Sequence, residues 1–205
     1  MSEFTSGNIT LNDYRSVVEQ SNPTFIKELN EKWLVFFTNE TYVNNDYPTD
    51  IIDLTNQIPI LYFYNFEDHG WGYSVIFKSH VQASFYFSYE LEHNALCDLT
   101  QERYPDEDPI EFLYMNSESD NLKAELLSSE EYKELLKKQF DNCNFECLNL
   151  FNINEEQIRK LESKINYESL MENQNPHELV ELYKDILNLN EMSWIRSDRI
   201  DNLED

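Results

Sequence analysis

PILYFYNFEDHGWGYSVIFKSHVQASFYFSYEL, residues 59–91, is the stretch whose reading decides the fold. Three runs within it, Pro59–Phe66, Trp71–Lys78 and Ala83–Leu91, are rich in aromatic and β-branched residues and joined by short connections. That pattern predicts an antiparallel β-meander. Side chains alternate between the faces of a strand, so Leu61, Phe63, Trp71, Tyr73, Val75, Phe77, Phe85, Phe87, Tyr89 and Leu91 share one face. It is apolar enough to be a core. The other face mixes Ile60, Tyr62, Tyr64 and Phe66 with Gly72, Ser74, Ile76, Ser84, Tyr86, Ser88, Glu90 and Glu92. It reads either as an aromatic recognition shelf or as a second core layer under helices.

Two of the chain's three glycines, Gly70 and Gly72, flank Trp71, although average proteins carry roughly 7% glycine. Gly70 closes the connection Glu67-Asp68-His69-Gly70, where a hairpin turn asks for a left-handed residue. Gly72 lies inside a strand, where glycine marks a bulge or a close approach of another group.

Upstream, Thr10-Leu11-Asn12-Asp13 has capping-box spacing and predicts a short helix over 11–20. Asn22-Pro23 starts a second, in which Phe25, Leu29, Trp33 and Phe36 recur at helical intervals as far as Phe37. The end of that run, Trp33–Phe37, is apolar all round and reads as a strand as well. Residues 38–57, polar and containing Pro48, predict a loop or a weak edge element. Downstream, Asn94–Arg103 predicts a helix, Asp106-Glu107-Asp108-Pro109 a charged turn, and Ile110–Met115 a fourth strand. Ser129, Asn154 and Asn175-Pro176 open three further helices, the last with Leu179, Tyr183, Ile186 and Leu187 inward. The expected fold is α+β: a meander of three to four strands between N-terminal helices and a C-terminal helical segment. It forms a single domain, 1–205, with a C-terminal helical subdomain, 124–205, bounded near Ser117 and Ser119.

The net charge is −25. It is densest over residues 38–122, where sixteen carboxylates face only Lys78 and Arg103. Such a chain repels phosphate, which argues against direct nucleic-acid binding and against anionic membrane surfaces. It suits a basic protein partner, or plain solubility. No run approaches the ~18 apolar residues of a membrane span. The N-terminus lacks the basic and apolar regions of a secretory signal, so a cytoplasmic protein is expected. Asn8-Ile9-Thr10 and Asn39-Glu40-Thr41 then carry no glycosylation meaning. Cys97, Cys143 and Cys147 read as free, inert thiols, since zinc wants a second ligand pair that is absent from the sequence.

Chemistry concentrates at the hairpin tip. Glu67, Asp68 and His69 are turn residues whose carboxylates and imidazole suit a metal or acid–base work. The meander returns strand three toward this tip, which brings Glu90 and Glu92 to the same sheet edge as His69. Tyr62, Tyr64 and Tyr86 around Gly72, with Trp71, supply candidate binding residues, because tyrosine buries area at little entropic cost. Asp106, Asp108 and Glu111 have oxygen-ligand spacing but no loop glycine. Trp194, Arg196 and Arg199 are expected to tether the C-terminus, with the indole inward. No phosphate-cradling loop, dinucleotide fingerprint, nucleophile elbow or zinc-protease motif occurs, and no cofactor is expected. The sequence therefore points to a non-enzymatic acidic binding protein of the immunity or antitoxin kind, engaging a basic protein. The alternatives are a nucleic-acid mimic that inhibits a DNA-binding protein, and a small metal-dependent enzyme at the His69/Glu90/Glu92 edge.

Overall fold

The computed structural model of the chain describes residues 4–39, 47–173 and 175–202. Its frame is a six-stranded antiparallel sheet: β1 (Phe4–Leu11), β2 (Phe25–Glu28), β3 (Trp33–Phe37), β4 (Ile60–Phe66), β5 (Gly70–Phe77) and β6 (His80–Ser88). The spatial order is β2-β3-β1-β4-β5-β6. β4, β5 and β6 are the meander expected from the sequence, with Tyr64 opposite Gly72 and Gly72 opposite Tyr86. The sheet is larger than three to four strands, because the N-terminal third adds three more.

Two expectations fail there for separable reasons. Phe25–Phe37 is a hairpin and not a helix. The Asn30 side chain turns the chain by accepting bonds from the Lys32 and Trp33 amides, at 3.0 and 3.1 Å. Trp33, Val35 and Phe37 then enter one core layer while Leu34 and Phe36 enter the other. A strand buried on both faces has no period of two to read, and its spacing imitated a helix. β1 was hidden by its polar residues. Thr5, Asn8 and Thr10 are buried, and distant carbonyls satisfy them: Thr5 Oγ1 donates to Ile195 at 2.8 Å and Thr10 Oγ1 to Pro59 at 2.8 Å. Buried hydroxyls are tolerated when bonded, but the partners lie far along the chain. The expected helix over 11–20 begins as a tight turn at Asn12–Tyr14 and continues as α1 (Arg15–Gln20). Within 38–57, α2 (Thr49–Leu54) replaces the expected loop, and residues 40–46 lie outside the described residues.

Both faces of the sheet carry helices. On one, α1 and α2 bring Val18, Ile51 and Leu54 against Leu34, Phe36, Ile60 and Ile76. On the other, a 3-10 segment (Phe145–Phe151) packs Phe145 and Phe151 onto the core face of the meander. Leu161, Leu170 and Tyr183, from the three helices that follow in the C-terminal part, join them there. Tyr183 stacks on Tyr73 at 5.0 Å and on Phe63 at 5.8 Å. The sheet and residues 145–195 thus share one core.

Between them run α3 (Leu91–Arg103), α4 (Pro109–Met115), α5 (Ser119–Ser128) and α6 (Glu130–Lys138), joined by a small cluster of Leu96, Leu126 and Tyr132. The C-terminal part adds α7 (Glu155–Lys164), α8 (Tyr167–Asn173) and α9 (His177–Leu187). Ile110–Met115 is helix, not the fourth strand: Asp108 caps it by accepting from the Glu111 amide at 2.9 Å, and Pro109 takes the first turn. The stretch 116–128, expected as a boundary, is largely α5. Ser129, Asn154 and Asn175-Pro176 open helices as expected, with a full capping box between Asn154 and Gln157.

Candidate functional site

Gly72 organises the end of the sheet. A Cβ there would lie 2.3 Å from the Phe85 carbonyl and 2.4 Å from the Tyr64 hydroxyl. The bare backbone lets the Tyr64 ring lie across it, directly opposite in register. On the far side Tyr86 stacks on Tyr64, ring centres 6.1 Å apart. The ladder continues from Tyr64 to Tyr62 and to Phe66, each at 5.7 Å, and from Phe66 to Phe4 at 6.0 Å. This is the mixed face foreseen in the sequence, divided in two. Its Ile60/Ile76 end lies under α1 and α2, while Tyr62 and Tyr64 are half-buried and Tyr86 is 48% exposed. The Tyr47 hydroxyl donates to Ser74 Oγ at 2.7 Å along the same face.

Gly70 has φ 153°, and a Cβ would meet the Phe87 carbonyl at 2.3 Å. The turn it closes presents His69, whose carbonyl accepts from the Tyr89 amide at 3.0 Å and from the Tyr86 hydroxyl at 3.4 Å. His69 Nδ1 lies 3.1 Å from Glu90 Oε1, both half-exposed, and its ring is 6.4 Å from Phe4. Arg196 stands over Phe4 at 5.7 Å. The tip therefore sets the His69–Glu90 pair at the end of an aromatic ladder.

Of the residues marked in the sequence, Tyr62, Tyr64, Gly72, Tyr86, His69 and Glu90 come together. Two do not. Glu92 was placed beside Glu90 on a strand, but β6 stops at Ser88 and the chain turns into α3. On that helix Glu92 pairs with Lys123 at 2.6 Å. Trp71 is fully buried on the core face, with Phe85 at 5.0 Å and Tyr183 at 5.3 Å, and offers no surface contact. Trp194 also departs from expectation. It is 37% exposed, and Met192 and Ile195 are the side chains that anchor the C-terminal segment. The residue the sequence did not mark is Phe4, whose strand was unread.

Burial raises the hydroxyl pKa of Tyr62 and Tyr64, the latter helped by Tyr86 and Tyr62 nearby. These phenols stay neutral in ordinary conditions. Among the described residues no three His, Cys, Asp or Glu side chains gather as a metal would need. The cysteines are partly buried and free, and burial pushes the Cys143 thiol up to about 12. No helix of the described residues is long and apolar enough to cross a membrane. Comparison with protein-family models, curated proteins and solved structures finds no match.

Proposed function

We propose that the protein is a non-enzymatic binding protein, a regulator or inhibitor of the immunity or antitoxin kind, that engages a basic protein partner. The observation that supports it best is Tyr86, which stands half-exposed at the rim of the ladder, stacked on Tyr64 over a glycine that admits no side chain. A rigid aromatic held clear of the core is a contact residue of the type that dominates binding energies. The carboxylates of residues 38–122, sixteen acids against two bases, would steer a cationic partner and speed capture. Less supports catalysis: the His69–Glu90 pair is half-exposed to water, and Glu92, the third member of the expected site, is engaged by Lys123.

The test is capture from host lysate on the immobilised protein beside a Tyr86→Ala variant, both washed at low and high salt. A single basic protein, held by the wild type, eluted by salt and lost on Tyr86→Ala, is the expected result. Recovery of no basic protein at low salt overturns the reading. Equal retention by the variant removes the ladder from it.

A further inference from the structure

α4 is anchored by one side and shows an apolar side to water. Phe112 is buried and stacks on Tyr104 at 4.4 Å. Ile110, Tyr114 and Met115, around the rest of the helix, are 56%, 76% and 81% exposed. Single exposed apolar residues are ordinary, but Ile110 and Tyr114 lie one turn apart and make a patch, with Met115 beyond the exposed Glu111. Its surroundings are mostly acidic. From Glu102 to Asp120 the chain carries seven carboxylates and one base, Arg103. Arg103 is already paired with Glu125 at 2.6 Å, and Lys123, the next base along, with Glu92 at 2.6 Å. Beside the patch opens a hollow of about 400 Å3, with Tyr114, Leu113, His93, Asp120 and the Glu92–Lys123 pair in its wall.

We propose that α4 and this hollow form a docking surface for a basic amphipathic segment of a partner protein. Its apolar residues cover Ile110, Tyr114 and Met115. A lysine or arginine enters the mouth of the hollow, its stem along Leu113 and Tyr114 and its charge toward Asp120, while Glu92 holds and neutralises Lys123 in the same wall. Charge complementarity selects this occupant: an acidic or neutral apolar segment would meet uncompensated carboxylates, while a purely polar basic one would leave the patch wet. Tyrosine adds cation–π attraction and methionine adapts its shape to varied contacts. The inference rests on the partner being basic, and it uses different elements from the tyrosine ladder.

The probe is a synthetic helical peptide with lysines on one side and leucines on the other, titrated by fluorescence anisotropy at low and high salt. It is compared on the wild type, on I110S/Y114S/M115S and on Asp120→Asn. The substituted side chains are exposed, so the melting temperature of the triple variant should match the wild type and serves as the check on folding. Wild-type binding is expected to fall about tenfold or more in the triple variant, the usual loss when interface anchors go, and a few-fold in Asp120→Asn. High salt should weaken it throughout, and polylysine should bind wild type and triple variant alike. Equal peptide binding by the triple variant, or none by the wild type, overturns the docking surface. So does self-association that the triple variant abolishes, which would make a second copy the occupant. If the lysate also yields no basic partner at low salt, the proposed function fails; if it yields one while peptide binding is equal, only the docking surface does.

Discussion

Glycine is scarce in this chain, and the positions that keep it are those where no side chain fits. At Gly72 the obstacle is twofold, a neighbouring strand's carbonyl and the Tyr64 ring. A ring can rotate away, whereas a carbonyl held in the sheet cannot. Gly72→Ala is therefore expected to cost about 3 kcal/mol in denaturant unfolding, at the upper end for overpacking. Adding Tyr64→Ala should recover little of it. Substantial recovery would show that the ring, not the backbone, sets the requirement. Elsewhere the chain makes left-handed turns without glycine: Asn22, Asn152 and Asn188 have φ of 53°, 55° and 58°. Asparagine tolerates that region because its side chain bonds locally. This use of asparagine was visible in composition but not in position. Gly72 was legible as a close approach, while the identity of the approaching group was not, since it depends on register.

At the scale of elements, what could be read was what is local. The meander showed itself by alternation, and the three helices opened by Ser129, Asn154 and Asn175 by their caps. β1 did not, because its buried threonines find partners nearly two hundred residues away in one case and about fifty in the other. α4 carried a legible start in Asp108-Pro109, but its apolar, aromatic run resembled a strand. The His69–Glu90 approach followed from hairpin topology alone, whereas Glu92 was misplaced with the end of β6. The caps also supply a test. Asn154 accepts from the Gln157 amide at 2.9 Å, Gln157 Oε1 accepts in turn from the Asn154 amide, and Gln157 Nε2 donates to the Ile186 carbonyl at 2.8 Å. Asn154→Ala is expected to cost about 1 kcal/mol of global stability, because α7 belongs to the main core. Asp108→Ala should fray α4, seen as faster amide exchange over residues 110–115, with a smaller change in the unfolding midpoint. The reverse order would mean that α4, not α7, is the better-anchored helix.

For the whole molecule, ionisation and charge set the behaviour. Burial raises the pKa of Tyr64, Tyr73, Tyr89, Tyr183 and Cys143 in the folded state, Cys143 to about 12 from an ordinary 9.0. The unfolded chain would release these protons first. Stability from the protonated forms is thus complete below about pH 9 and is lost as pH rises toward 12. Denaturant midpoints should fall across that window, together with the appearance of tyrosinate absorption. A stability unchanged up to pH 12 would contradict the burial of these groups. The charge of −25 acts outward as well. Self-repulsion is tolerated because one shared core joins the sheet to residues 145–195, and the same field is what a cationic partner would meet first. The most direct measurement is the affinity for the proposed basic partner, once isolated from the lysate, titrated calorimetrically at low and at high salt. Binding through the acidic surface should weaken by at least about tenfold as screening shortens the reach of the carboxylates. An affinity indifferent to salt would mean that the carboxylates do not bind the partner.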